Sequence, residues 1–213
     1  MKISIVWDWN GTILNDIDLC VSIANELRKS RGLPIITKEF YRDSFCFPVE
    51  RYYKKLGLDL SKESFAEIAK EFVKLYYGQV SHCHLRHDVL EVIQEFHSRG
   101  INQCIISAME HLSLKKLTDQ FNITKYFQGI WGIEDHHAAG KHHIAENFFS
   151  TVENSRVFVI GDTVHDYEMA ERFGATSLIL TDGHQSISQL DECENAVLIQ
   201  NIQQAKERIL KGI

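Results

Sequence analysis

Residues 2–12 read KISIVWDWNGT. The run is rich in β-branched side chains, carries no charge between Lys2 and Asp8, and ends on an acid. A strand buried on both faces of a parallel sheet has this texture, and it delivers its last side chain to the carboxyl edge of the sheet. Asn10, Gly11 and Thr12 then supply a turn.

Outward from this strand the texture becomes helical. Ile17, Val21, Ala24, Leu27 and Arg28 lie at helical spacing, and Gly32-Leu33-Pro34 stops the run. A helix is expected over 48–56, with Pro48 at its first position, and another over 61–77, opened by Ser61 and Glu63-Ser64. No strand signal interrupts this stretch, so 15–85 is expected to be a small all-helical cap inserted after the first strand.

Beyond residue 85 strands and helices alternate. Helices are expected over 88–99, 111–121, 141–149 and 165–173, with a terminal helix after 199. Strands are expected over 102–107, 129–133, 156–160, 176–180 and 196–199. The pattern predicts an α/β fold: a Rossmann-like parallel sheet covered by helices, built from 1–14 and 86–213, with the cap of 15–85 set into it. Ligands of such sheets gather at the carboxyl ends of the strands, where three strands end on chemically loaded residues: Asp8, Ser107 and the pair Gly161-Asp162.

Composition narrows the function. A formal net charge of -6 and a pI near 6.0 lack the basic balance that nucleic-acid backbone requires. The opening apolar run is too short for a signal peptide or membrane span, so no membrane partner is expected. The five cysteines are scattered without a C-x-x-C pair, which fits reduced thiols in a cytoplasm. No coiled-coil heptad is present, and a monomer or weak homodimer is expected.

Asp8, Asp162 and Asp166, with the cation Lys141, fall at loop positions beside the sheet edge. Converging carboxylates repel unless a hard cation sits among them, and their oxygens suit magnesium. A carboxylate can also attack phosphorus, while a hydroxyl and an ammonium hold the phosphoryl oxygens.

DWNGTIL at 8–14 resembles the first motif of the haloacid dehalogenase superfamily, whose pattern is D-x-D-G-T after a hydrophobic strand. Ser107 after QCII resembles the second motif, Lys141 in AAGKHH the third, and GDTVHD at 161–166 the fourth. The resemblance implies Asp8 as nucleophile and magnesium ligand, joined by the main-chain carbonyl of Asn10 and the carboxylate of Asp162. Asp166 would support the metal or hold Lys141. Thr12, Ser107 and the adjoining Ala108 would grip the phosphoryl group, and Lys141 would neutralise its charge. The substrate implied is a small phosphorylated metabolite.

Position 10 departs from the pattern. The superfamily's phosphatases carry a second aspartate there as general acid and base, a role asparagine cannot fill and one that contributes roughly 10²–10⁴-fold. Three readings follow: a phosphatase in which Asn10 orients substrate or water, a phosphotransferase or other non-phosphatase member, and a catalytically weak phosphate-binding or regulatory module. A dehalogenase is disfavoured by the metal-type acids, and a phosphonatase would need a cap lysine such as Lys54 or Lys55.

The helical insertion resembles the cap of the phosphoglycolate phosphatase and β-phosphoglucomutase branch, which closes over the active site. On that resemblance YRDSFCFPVERYY at 41–53 faces the site, with Arg42 and Arg51 as candidate anion contacts. Phe45, Phe47, Tyr52 and Tyr53 are expected as cap core. The histidines at 82, 84, 87, 136, 137, 142 and 143 lack zinc-site spacing; a surface role is expected for His142, His143 and His165, with a place bordering the site as the alternative.

Overall fold

The computed structural model describes residues 2–133, 146, 148 and 155–211. Six strands form the main sheet: β1 (Lys2–Trp7), β4 (Asn102–Glu110), β5 (Gly129–Ile133), β6 (Ser155–Gly161), β7 (Thr176–Leu180) and β8 (Val197–Ile199). Their order is β5-β4-β1-β6-β7-β8, and every pairing is parallel. The α/β fold expected from the sequence is therefore present, with β1 at its centre.

The period-two alternation of the strands divides the core. Ile3, Ile5 and Trp7 of β1 pack with Ile105, Phe158 and Ile160 on one face, against α5 (Val89–Ser98) through Phe96 and α9 (Ile202–Leu210) through Ile209. Val6 packs with Cys104, Ile106 and Val159 on the other face, against Met169 and Ala170 of α7 (Val164–Arg172). Each such fully buried aliphatic or aromatic side chain is worth roughly 1.5–3 kcal/mol of transfer free energy, which is why a strand covered on both faces reads as an unbroken apolar run.

Between β1 and β4 the chain builds α1 (Ile17–Ser30), α2 (Lys38–Ser44), α3 (Val49–Lys55) and α4 (Phe65–Gln79). The buried stripe of α1 is Ile17, Cys20, Ile23, Ala24, Leu27 and Arg28. Arg28 is buried with its charge directed at carbonyls: its Nε donates to Pro34 O at 2.8 Å, and its Nη1 donates to Leu56 O. The apolar cluster runs unbroken from the sheet through Trp9, Ile13 and Leu14 into this helical segment.

Three local features differ from expectation. The segment is flanked by a two-stranded antiparallel ribbon, β2 (Leu14–Asn15) with β3 (His84–Leu85), which closes its two connections to the sheet. Two-residue strands carry too little pattern to be read from sequence. The helix expected from 61 begins after Ser64, whose Oγ accepts from Glu67 N while Glu67 Oε2 accepts from Ser64 N at 2.9 Å. Ser61 instead donates its backbone N–H and hydroxyl to Asp59, which diverts it into a turn. Finally β4 continues past Ser107 to Glu110, with a register shift between Ile106 and Glu110. The helix expected over 141–149 lies, apart from 146 and 148, outside the described residues. Among the described residues no helix is long and apolar enough to cross a membrane.

Candidate active site

β1 is the switch point of the sheet. From it the chain passes to β4 and β5 on one side, then returns to β6, β7 and β8 on the other. Such a reversal leaves a crevice at the carboxyl ends of the strands. Asp8 stands there, one residue past Trp7, with its N–H donated to Ile160 O of β6 at 2.9 Å. The register pairs Trp7 with Ile160 on one side and Ile105 on the other, which brings Asp162 and Ser107 to the same edge.

Asp8, Asp162 and Asp166 are buried, and one carboxylate oxygen from each lies within 4.8 Å of the others. Two glycines make this crowding possible. A Cβ on Gly161 would stand 2.3 Å from the Asp166 carboxyl carbon, and one on Gly183 would stand 2.2 Å from Asp162 Cβ. Gly11, at φ +73°, turns the loop where a side chain would strike both Asp162 and the His184 ring.

Hydrogen bonds orient the acids. Asp162 accepts from Thr12 Oγ1 at 3.2 Å and from His184 N at 2.6 Å. Asp166 accepts from the N–H and hydroxyl of Thr163, at 3.1 and 2.7 Å, and so caps α7 while facing its neighbours. Ser107 is buried and its Oγ accepts from Met109 N at 3.1 Å, whereas Ala108 is exposed. Buried carboxylates packed this closely repel one another unless a proton or a cation sits among them, and three hard oxygen donors could hold a magnesium ion. Lys141 and the histidines at 136, 137, 142 and 143 lie outside the described residues.

Of the cap candidates, Arg42 is directed at the sheet edge. Its guanidinium donates to the carbonyls of Gly183, at 2.9 Å, and Asp182. Arg51 is exposed on α3. Lys54 and Lys55 are exposed too, with Lys54 paired to Glu50 at 2.7 Å. Phe45 and Tyr52 pack against Tyr41 and each other, and Tyr53 packs against Tyr52. Phe47 keeps 40% of its surface and stands over the His165 ring, with centroids 5.0 Å apart. Of the other described histidines, 82, 84 and 87 are not buried, and none of them joins a metal-capable group among the described residues.

Three residues absent from the sequence expectations, Asp16, Tyr76 and His184, form a connected group next to Asn10. Asp16 Oδ2 accepts from Asn10 Nδ2 at 2.7 Å and from the Tyr76 hydroxyl at 2.7 Å, and Asp16 Oδ1 accepts from Gly11 N at 2.9 Å. His184 Nε2 lies 3.3 Å from the same Oδ1, while its Nδ1 meets the Tyr41 hydroxyl at 2.8 Å. Burial alone would push the Asp16 carboxyl up, but His184, Tyr76 and Asn10 outweigh it and hold it below its ordinary range. Burial alone would pull the His184 imidazole down, but Asp16, then Asp162 and Asp8, outweigh it and hold it above its ordinary value. An acid just past the turn was the one available signal, and it reads equally well as a helix start. Arg86 was also passed over: it donates to Gly11 O at 3.0 Å and pairs with Asp182.

The family model for haloacid dehalogenase-like hydrolases matches residues 5–180, from β1 through β7. The chain belongs to that family. Among curated relatives, a phosphoglycolate phosphatase of Vibrio parahaemolyticus is 25% identical over 193 residues, covering 84% of each chain. The fold matches that of a haloacid dehalogenase-like hydrolase from Streptococcus pneumoniae, with TM-score 0.81, 18% identity and 98% of each chain covered. It also matches Protein Tyrosine Kinase A of Mycobacterium tuberculosis, with TM-score 0.80, 15% identity and 97% of each chain covered.

Proposed function

We propose that the chain is a magnesium-dependent phosphatase acting on a small phosphorylated metabolite through an aspartyl-phosphate at Asp8. The observation that carries this reading is the meeting of Asp8, Thr12, Asp162 and Asp166 at the switch point of the sheet. The relative from Vibrio makes phosphoglycolate the first substrate to test.

On this reading Asp8, Asp162 and the main-chain carbonyl of Asn10 hold magnesium, which supplies neutralising charge to the phosphoryl oxygens. Asp8 attacks phosphorus as the bond to the leaving oxygen breaks, giving the acyl phosphate. Thr12, Ser107, the Ala108 main chain and Lys141 hold the transferred group, and Asp166 supports Asp162 through the shared turn. Water then attacks the phosphorus of the acyl phosphate, breaking its bond to the Asp8 carboxylate and releasing inorganic phosphate. The helical segment of 15–85 acts as the cap that excludes bulk water and reads the leaving group, with Arg42 fixing its seat and Arg51 free for an anionic substrate.

Asn10 has no proton to exchange, so the reading favours leaving groups that depart with little protonation. The same feature favours a second reading, transfer of the phosphoryl group to an acceptor other than water. A screen of metabolite phosphates with magnesium tests both. Turnover that requires magnesium and vanishes in Asp8→Asn supports a phosphatase, whereas transfer to an added alcohol without free phosphate supports the second reading. Absence of turnover, with magnesium and phosphate still raising the melting temperature, would leave a binding module in its place.

A further inference from the structure

Asp16 is a fully buried acid that the proposed reaction does not use. It precedes α1, yet its side chain caps nothing in that helix. Its oxygens are turned back to Gly11, Asn10, Tyr76 and His184, and from α1 they accept the Cys20 thiol at 3.8 Å.

Counting hydrogens fixes how these groups face one another. A carboxylate only accepts, so the Asn10 atom 2.7 Å from Asp16 Oδ2 is the amide nitrogen. Tyr76 has one hydrogen and gives it to Asp16, whose carboxylate has none to give. The Tyr76 oxygen, 2.6 Å from Asn10 Nδ2, is then an acceptor. Both amide hydrogens of Asn10 are thereby used, and only Oδ1 remains to meet a substrate.

We infer that Asp16 is a positioning residue of the reaction: with Tyr76 it locks the Asn10 amide so that position 10 presents a fixed acceptor, able to orient an attacking water or a substrate hydroxyl. The inference rests on the phosphatase reading above. It also ties cap to core, because Tyr76 comes from α4 and the His184 that meets Asp16 gives its own N–H to Asp162. With α4 seated, Asn10 is aligned; without it, one amide hydrogen is released.

The test compares wild type, Asp16→Asn and Tyr76→Phe on p-nitrophenyl phosphate and phosphoglycolate with magnesium. It adds the ¹⁵N–¹H spectrum of the Asn10 side-chain amide in metal-free protein, assigned by its loss in Asn10→Ser. Removing a partner that orients an active-site group typically costs roughly 10–100-fold. The expected result is a fall of that size in kcat for Asp16→Asn and a smaller fall for Tyr76→Phe, with KM little changed. The Asn10 amide hydrogens should exchange slowly in wild type and rapidly in both variants. A residue that merely stabilises the fold would lower the melting temperature and leave kcat per folded molecule intact, and that outcome overturns the inference. So does a fast-exchanging Asn10 amide in wild type. Should Asp16→Asn fail to fold, Tyr76→Phe decides alone, since it keeps the ring packed against Phe72. Wild type inert toward every phosphate ester sinks the phosphatase reading itself, whereas active wild type with unaffected variants sinks only the role of Asp16.

Discussion

The side-chain nitrogen of Asn10 lies 2.7 Å from Oδ2 of Asp16, in a pocket closed by Tyr76 and His184. Position 10, where the resembling phosphatases carry a second carboxylate, thus holds an amide whose nitrogen is bound to a buried acid six residues on.

Restoring an acid at position 10 will therefore not by itself restore an acid–base catalyst. Asn10→Asp sets two acceptors face to face with no hydrogen between them, and like charges this close destabilise one another. The variant is expected to melt lower than wild type and to gain no turnover. The exchange variant Asn10→Asp/Asp16→Asn keeps one donor and one acceptor and should recover the lost stability. Thermal melts and steady-state rates of the three proteins check this.

Gly183 is expected to be intolerant of even a methyl group. Alanine there would place Cβ 2.2 Å from Asp162 Cβ and force the acid out of line. Overpacking of this kind costs roughly 1–3 kcal/mol. Gly183→Ala should also blunt the rise in melting temperature that magnesium produces, by a loss of affinity of about 10–100-fold. A titration of melting temperature against magnesium measures both.

Stability should fall on the alkaline side through His184. Its folded value lies above the ordinary 6.5, so the protonated imidazole stabilises the fold fully below that pH. The contribution is lost as pH rises through the raised value. Asp16 has the opposite sign: its value lies below the ordinary 3.8, so its contribution is present above that pH and is lost as pH falls through the lowered value. Metal-free protein should be most stable between these limits. His184→Gln should remove the alkaline slope, as urea melts at stepped pH will show.

Arg42→Ala should loosen the helical segment without unfolding the sheet. The guanidinium bonds to Gly183 and Asp182 are lost, while Gln189 Nε2 still donates to Arg42 O at 2.7 Å and Ser186 N to the same carbonyl. A loss of about 1 kcal/mol in local stability is expected for these partly exposed bonds. Amide exchange should quicken in α2 and stay unchanged in β1 and β6.

Thr163→Ala separates the capping and site roles of Asp166. It removes the hydroxyl 2.7 Å from Asp166 Oδ2 but leaves the carboxylate in place. A cost of roughly 0.5–2 kcal/mol is typical for a lost helix cap. Melting temperature should fall accordingly while magnesium dependence of turnover persists.

What the chain determines by itself is the layout of the sheet and the approach of the acids. The run Ile3–Trp7 is apolar but for Ser4 because both faces of β1 are covered, and it is adjacent in sequence to the Asp8 it carries. Thr12, Ser107, Asp162 and Asp166 are legible for the same reason, since each lies within a few residues of a strand end or helix start. The partners of Asn10 were not legible. Asp16 meets Tyr76 across 60 positions and His184 across 168, and no local periodicity encodes which phenol or imidazole will fill a space between distant elements. Only packing α4 and the loop after β7 onto the edge of the sheet decides that, because the Tyr76 oxygen that accepts from Asn10 and the His184 ring beside Asp16 lie far from both in the chain.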